Sequence, residues 1–184
     1  MALTENDKRV LASIARSGLS AAVAGGGHFV PDDPGLPNLL EKRGCFVTLK
    51  TNGRLRGCLG CFTSDEPLYR TVAEYTRFSA LDDPRFSGQR IREDELSAVA
   101  IDVSCLTPLA PCAEPGNITL GVHGIYVRSG MRSGCFLPQV ATDTGWNVEE
   151  FWGHCCRDKA GLDWDAWRRP DVECMTFTAD VFDA

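Results

Sequence analysis

The sequence has no apolar run approaching the roughly 20 residues that a bilayer-spanning helix needs. Its opening, Met1-Ala2-Leu3-Thr4-Glu5-Asn6-Asp7, lacks the basic start and apolar segment of a secretory signal. A cytoplasmic protein without membrane attachment is therefore expected. Positive charge is also in short supply. A formal net charge of -6 argues against a general affinity for nucleic acid, whose phosphates demand a clustered basic surface. No Gly-Lys-Ser/Thr follows Gly25-Gly26-Gly27, which excludes a P-loop. The Cys-x3-Cys-x2-Cys run of radical enzymes is missing, so no iron-sulfur cluster is expected, and no paired carboxylates stand out for acid-base work. Cys58-x-x-Cys61 could supply two zinc ligands or a redox pair, but a structural zinc site needs a second pair at comparable spacing and none is obvious. Neither a metal nor a cofactor is expected.

What is present is enough for one substantial core: 184 residues, 43% of them hydrophobic, read as one domain spanning residues 1–184. Nine cysteines, an odd number without regular spacing, fit reduced thiols in a reducing compartment, with no structural disulfide. Val10, Leu11, Ile14 and Ala15 recur at helical spacing, and Thr4 precedes Asp7 by three, which predicts a capped amphipathic helix ending at the glycines. Prolines make residues 28–38 a loop. Cys45 to Lys50 and the stretch from Arg54 read as strands joined by Asn52-Gly53, a type I′ hairpin signal.

Ser64 or Asp65 is expected to cap a helix from near Pro67 that ends at Asp82-Asp83-Pro84. Strands are predicted over residues 98–106, 124–128, 135–140 and 173–182, with Pro138-Gln139 marking an edge or bulge. Asn147 and Glu150 form a capping pair for a helix running to Lys159 and stopped by Gly161. Strands and helices without strict alternation favour an α+β fold of antiparallel sheets with packed helices.

The chemistry concentrates at Leu55-Arg56-Gly57-Cys58-Leu59-Gly60. Gly57 and Gly60 carry no Cβ, so a backbone or a ligand can approach closely, and Arg56 would favour a thiolate on Cys58. Cys58 is the leading candidate nucleophile, although free cysteines are also common packing residues. His123, before a strand, is a candidate general base or anion ligand, or a turn-stabilising residue. Arg85 either pairs within its own turn or faces the glycines, and Gln139 either orients a substrate amide or satisfies irregular backbone.

Leu55 to Gly60 resembles the Leu-Arg-Gly-Cys-Ile-Gly signature of the AMMECR domain family, with Leu59 in place of Ile. The similarity continues in order through Asp83-Pro84-Arg85-Phe86, Val103-Ser104-Cys105-Leu106-Thr107-Pro108, Gly121-Val122-His123-Gly124, Leu137-Pro138-Gln139-Val140-Ala141, Gly145-Trp146 and Lys159-Ala160-Gly161-Leu162. It carries over Cys58 and His123 but not Cys61. The resemblance implies two interleaved subdomains and a pathway shared with a Memo-like, extradiol-dioxygenase-related protein and a radical S-adenosylmethionine protein, without implying a settled activity. Two readings follow: an enzyme or substrate-handling subunit using Cys58, Arg56 and His123, or a non-catalytic binding module for those partners.

Overall fold

The computed structural model describes residues 2–25 and 27–184. Gly26, within the expected glycine stop, lies outside them. The chain divides into two compact units, the first formed by residues up to Leu106 together with Asp180–Ala184, the second by the intervening Thr107–Ala179. The fold is α+β, with an antiparallel four-stranded sheet in each unit.

In the first unit, α1 (Glu5–Val23) begins with the expected box: Asp7 N–H donates to Thr4 Oγ1 at 3.2 Å and Thr4 N–H donates to Asp7 at 2.8 Å. Leu11, Ile14, Ala15, Leu19 and Ala22 form its buried stripe. The loop region contains one short helix, α2 (Pro37–Leu40), with proline in its first turn. β1 (Cys45–Thr51) and β2 (Arg54–Cys61) form the predicted hairpin, and Asn52 and Gly53 adopt φ of 52° and 75°, as a type I′ turn demands. β3 is Val99–Leu106 and β8 is Ala179–Asp183, giving the sheet order β2-β1-β3-β8. Cys45, Val47 and Leu49 point into a core shared with α1 and α3 (Leu68–Leu81), while Phe46, Thr48 and Lys50 occupy the opposite face. The start of α3 departs from expectation. Its N-cap is Pro67, which makes no side-chain cap, and Ser64 Oγ instead accepts from Glu66 N–H at 3.0 Å.

In the second unit the sheet order is β4-β7-β5-β6, from β4 (Ala110–Pro111), β5 (Gly124–Ser129), β6 (Arg132–Phe136) and β7 (Glu173–Phe177). Ile125, Val127, Phe136, Phe151 and Trp152 centre its core. Two sequence expectations fail here. The predicted strand over 135–140 stops at Phe136, and Pro138-Gln139 opens helix α4 (Pro138–Thr144), because a proline that cannot join a ladder is well suited to the first turn of a helix. The predicted strand over 173–182 is two strands. Thr178 interrupts it, its N–H donating to Thr107 Oγ1 at 2.9 Å, and the chain leaves one sheet for the other. The helix after Asn147 is α5 (Val148–His154), which widens into a π turn over Cys155–Lys159 and closes at Gly161, φ 62°.

Candidate functional site

Cys58 lies on β2, the edge strand of the first sheet, opposite Thr48. Its half-buried thiol accepts a hydrogen bond from Thr48 Oγ1 at 3.2 Å, on the face that also carries the Lys50–Asp102 ion pair of 2.6 Å. Its peptide group, unpaired by any further strand, is gripped from the side. Cys58 N–H donates to Asp83 Oδ2 at 2.9 Å and Arg85 Nη2 donates to Cys58 C=O at 2.8 Å. Asp83 and Arg85 are joined to each other by Nη2–Oδ2 and Nε–Oδ1 contacts of 2.7 and 2.9 Å. The carboxylate and guanidinium thus supply the acceptor and donor that a neighbouring strand would, and block the exposed edge. Arg85 therefore serves both its own turn and the Cys58 backbone.

The glycines owe their smallness to internal neighbours. A Cβ on Gly57 would lie 1.9 Å from the Ser79 carbonyl oxygen of α3, and one on Gly60 would lie 2.4 Å from the Phe46 ring. The Ser79 hydroxyl continues the same contact, donating to Val47 C=O at 2.8 Å and accepting from Leu59 N–H at 2.9 Å.

Arg56 is turned elsewhere by a β-bulge. Leu49 pairs with Gly57 and Lys50 with Leu55, so Arg56 is the extra residue. Its Nη1 donates to Glu95 Oε1 at 2.6 Å and to Thr51 Oγ1 at 3.3 Å, and Nη2 donates to the carbonyls of Gln89 and Arg90. Arg56 in turn holds the Glu95 carboxyl below its usual range. Arg56 also lines a cleft of about 620 Å³ with Asn52, Arg54 and Gln89, which Cys58 does not line.

Cys58 and Cys61, three apart on a strand, face opposite ways. Cys61 stands beside Cys45 and hydrogen-bonds Tyr75, whose hydroxyl burial pushes up to about 12. The pair therefore makes neither a chelate nor a disulfide, and among the described residues no three His, Cys, Asp or Glu side chains cluster to hold a metal.

His123 and Gln139 belong to the second unit. His123 Nδ1 accepts from Thr119 N–H at 2.9 Å and His123 N–H donates to Thr119 C=O at 2.9 Å, closing a turn before β5. Gln139 sits in the first turn of α4, its carbonyl accepting from Thr142 Oγ1 at 2.8 Å. Near the C-terminus, Arg168 and Arg169 are paired with Glu149 and Asp171.

Sequence reasoning missed Ser79, Glu95 and Thr48. Only Ser79 carried a signal, as a hydroxyl on the apolar stripe of a helix.

Asp83 gives the site a pH signature. Hydrogen bonding from Arg85 holds its carboxyl down to about 2 against the opposing effect of burial, and Cys58 N–H adds to the lowering. The folded value lies below the ordinary 3.8, so the ionised group stabilises the fold above that pH and its contribution is lost as pH falls through about 2. The contribution is about 2 kcal/mol. Urea unfolding of wild type and Asp83→Asn should differ by that amount near neutrality and converge toward the acid end; a gap constant with pH would refute the assignment.

A family model described as AMMECR1 matches residues 12–182. A protein of Methanothermobacter thermautotrophicus is 37% identical over 188 residues, covering 98% of this chain and 95% of its own length. Protein MK0488 of Methanopyrus kandleri is 41% identical over 165 residues, covering 85% of this chain and 79% of its own. The crystal structure of uncharacterized protein PH0010 from Pyrococcus horikoshii is 35% identical, with a TM-score of 0.83 over 94% of this chain and 89% of that one.

Proposed function

The chain belongs to the AMMECR1 family, and from that premise we propose that it is a non-catalytic binding module, with the β1–β2 hairpin as a rigid recognition element. The observation that carries this reading is the internal use of every group around Cys58. Arg56 neutralises Glu95, α3 and Phe46 fill the room beside the glycines, and Asp83 with Arg85 holds the peptide of residue 58 still. Rigid, preorganised elements lower the entropic cost of association. The partners, following the family resemblance, are the Memo-like and radical S-adenosylmethionine proteins, met in the cytoplasm. No helix among the described residues is long and apolar enough to cross a membrane.

One observation favours the enzymatic reading: Thr48 Oγ1 donates to the Cys58 sulfur, as a group supporting a thiolate would. Two measurements separate the readings. Alkylation of the folded protein, mapped by mass spectrometry, should label Cys58 no faster at neutral pH than an ordinary exposed thiol, and Cys58→Ser should keep affinity for the co-expressed partners. Cys58→Arg, which places bulk and charge on the same face, should weaken that affinity at least about tenfold, or 1.4 kcal/mol. Rapid selective labelling of Cys58, with partner binding indifferent to Cys58→Arg, would transfer the case to a nucleophile.

A further inference from the structure

Cys112 and Cys174 stand side by side in the second unit. β4 pairs antiparallel with β7 through Ala110–Thr176 and Pro111–Met175, and one step further Cys112 N–H donates to Cys174 C=O at 2.9 Å. Continuing that register sets the two residues directly opposite each other, the kind of antiparallel position in which Cα atoms are typically about 5.5 Å apart and side chains share a face. Such a spacing is inside the range a disulfide bridges, about 4.4–6.8 Å. Both thiols are free, half-buried and open onto one surface cleft, of about 310 Å³, which Pro115, Trp167 and Val172 also line. Cys174 Sγ donates to Trp167 C=O at 3.3 Å. Cys155 and Cys156, the other thiols of the adjoining core, are buried.

We propose that Cys112 and Cys174 are a redox-sensitive dithiol, closed into a cross-strand disulfide by a low-molecular-weight disulfide such as oxidised glutathione. Cys112 reacts first. Among the described residues its sulfur makes no hydrogen bond to a carbonyl, whereas Cys174 Sγ is engaged with Trp167 C=O; burial and the Glu114 carboxylate raise the Cys112 thiol, and the Glu114 N–H offsets part of that rise. Its thiolate attacks one sulfur of the small disulfide, forming a mixed disulfide and releasing one small thiol. The Cys174 thiolate then attacks the Cys112 sulfur of that adduct, forming the protein bond and releasing the second small thiol. The two protein sulfurs are oxidised by two electrons, the small disulfide is reduced by two, and the two thiol protons leave with the released thiols. Burial raises both thiols above their ordinary value, so the exchange is slow at neutral pH and marks sustained oxidation rather than rapid turnover. The product adds a covalent bolt between the short strand β4 and β7, beyond their two register pairs and the Cys112–Cys174 backbone bond.

The test is a titration of the full chain with oxidised against reduced glutathione, quenched by alkylation and mapped by non-reducing peptide mass spectrometry. A Cys112–Cys174 crosslink, lighter by two hydrogens and reversed by dithiothreitol, is expected as the predominant linked species. Cys112→Ser should abolish it, leaving Cys174 as thiol or glutathione adduct, and Cys174→Ser should trap glutathione on Cys112. Separate stable adducts on both residues of the wild-type chain, or a predominant Cys156–Cys174 link, would overturn the proposal. The wild-type map decides the matter even if a variant folds poorly.

Discussion

Gly57→Ala is expected to destabilise the first unit by about 3 kcal/mol or more, beyond the usual range of a single added methyl. The new Cβ would stand 1.9 Å from the carbonyl oxygen of Ser79 and 2.8 Å from its carbonyl carbon. Both are backbone atoms, and neither can swing aside as a side chain would. α3 would have to withdraw from β2, and the Ser79 hydroxyl would lose Leu59 N–H and Val47 C=O together. Gly53→Ala is the fitting comparison. Nothing lies within 4 Å of its Cβ, and only its φ of 75° opposes substitution, so its cost should be about 1 kcal/mol. Urea unfolding followed by circular dichroism measures both. If Gly57→Ala is no worse than Gly53→Ala, α3 does not bear on the strand as described, and the room beside Cys58 is available to a ligand after all.

Removing Arg43 should be about as damaging. Its side chain is 1% exposed; Nε donates to Leu106 C=O at 2.8 Å, and the guanidinium lies 3.8 Å from Glu41 and 3.7 Å from Asp180. Asp180 begins the segment that returns to the first unit and also accepts from Leu3 N–H at 3.1 Å. One buried cation therefore joins the start of β1, the end of β3 and the returning strand. Arg43→Leu should cost about 3 kcal/mol, since it leaves the Leu106 carbonyl without its donor and removes the buried cation beside two partly solvated carboxylates. Asp180→Asn, which leaves the cation its other contacts, should cost less. Hydrogen exchange should report the Arg43→Leu loss first in β8 (Ala179–Asp183). Full protection of that strand in the variant would show that its hydrogen bonds to β3 suffice.

Much of the architecture was legible because it is written in short-range patterns. The Thr4–Asp7 and Asn147–Glu150 boxes, the Asn52-Gly53 turn and the alternation of β3 each involve residues within a few positions of one another. The errors arose where the same local pattern serves two ends. A proline after a strand residue breaks a ladder or begins a helix, and Pro138 begins a helix. Alternation runs unbroken from Met175 to Val181, yet the chain changes sheets at Thr178, which no period can register.

The candidate site divides the same way. The cluster of arginine, thiol and glycines around Cys58 was conspicuous, but its meaning depends on residues 20 to 40 positions distant: Ser79, Asp83, Arg85 and Glu95.

The sequence by itself determined the family, the α+β class, the Thr4 and Asn147 caps and the hairpin, because φ preferences, capping and periodicity act between near neighbours. Only the tertiary structure decided that Arg56 answers Glu95, that α3 occupies the room beside Gly57, and that Asp83 and Arg85 hold Cys58 by its backbone. Charge pairing and close packing act between whatever groups the folded chain brings within a few ångströms, and their distance along the sequence carries no record of it.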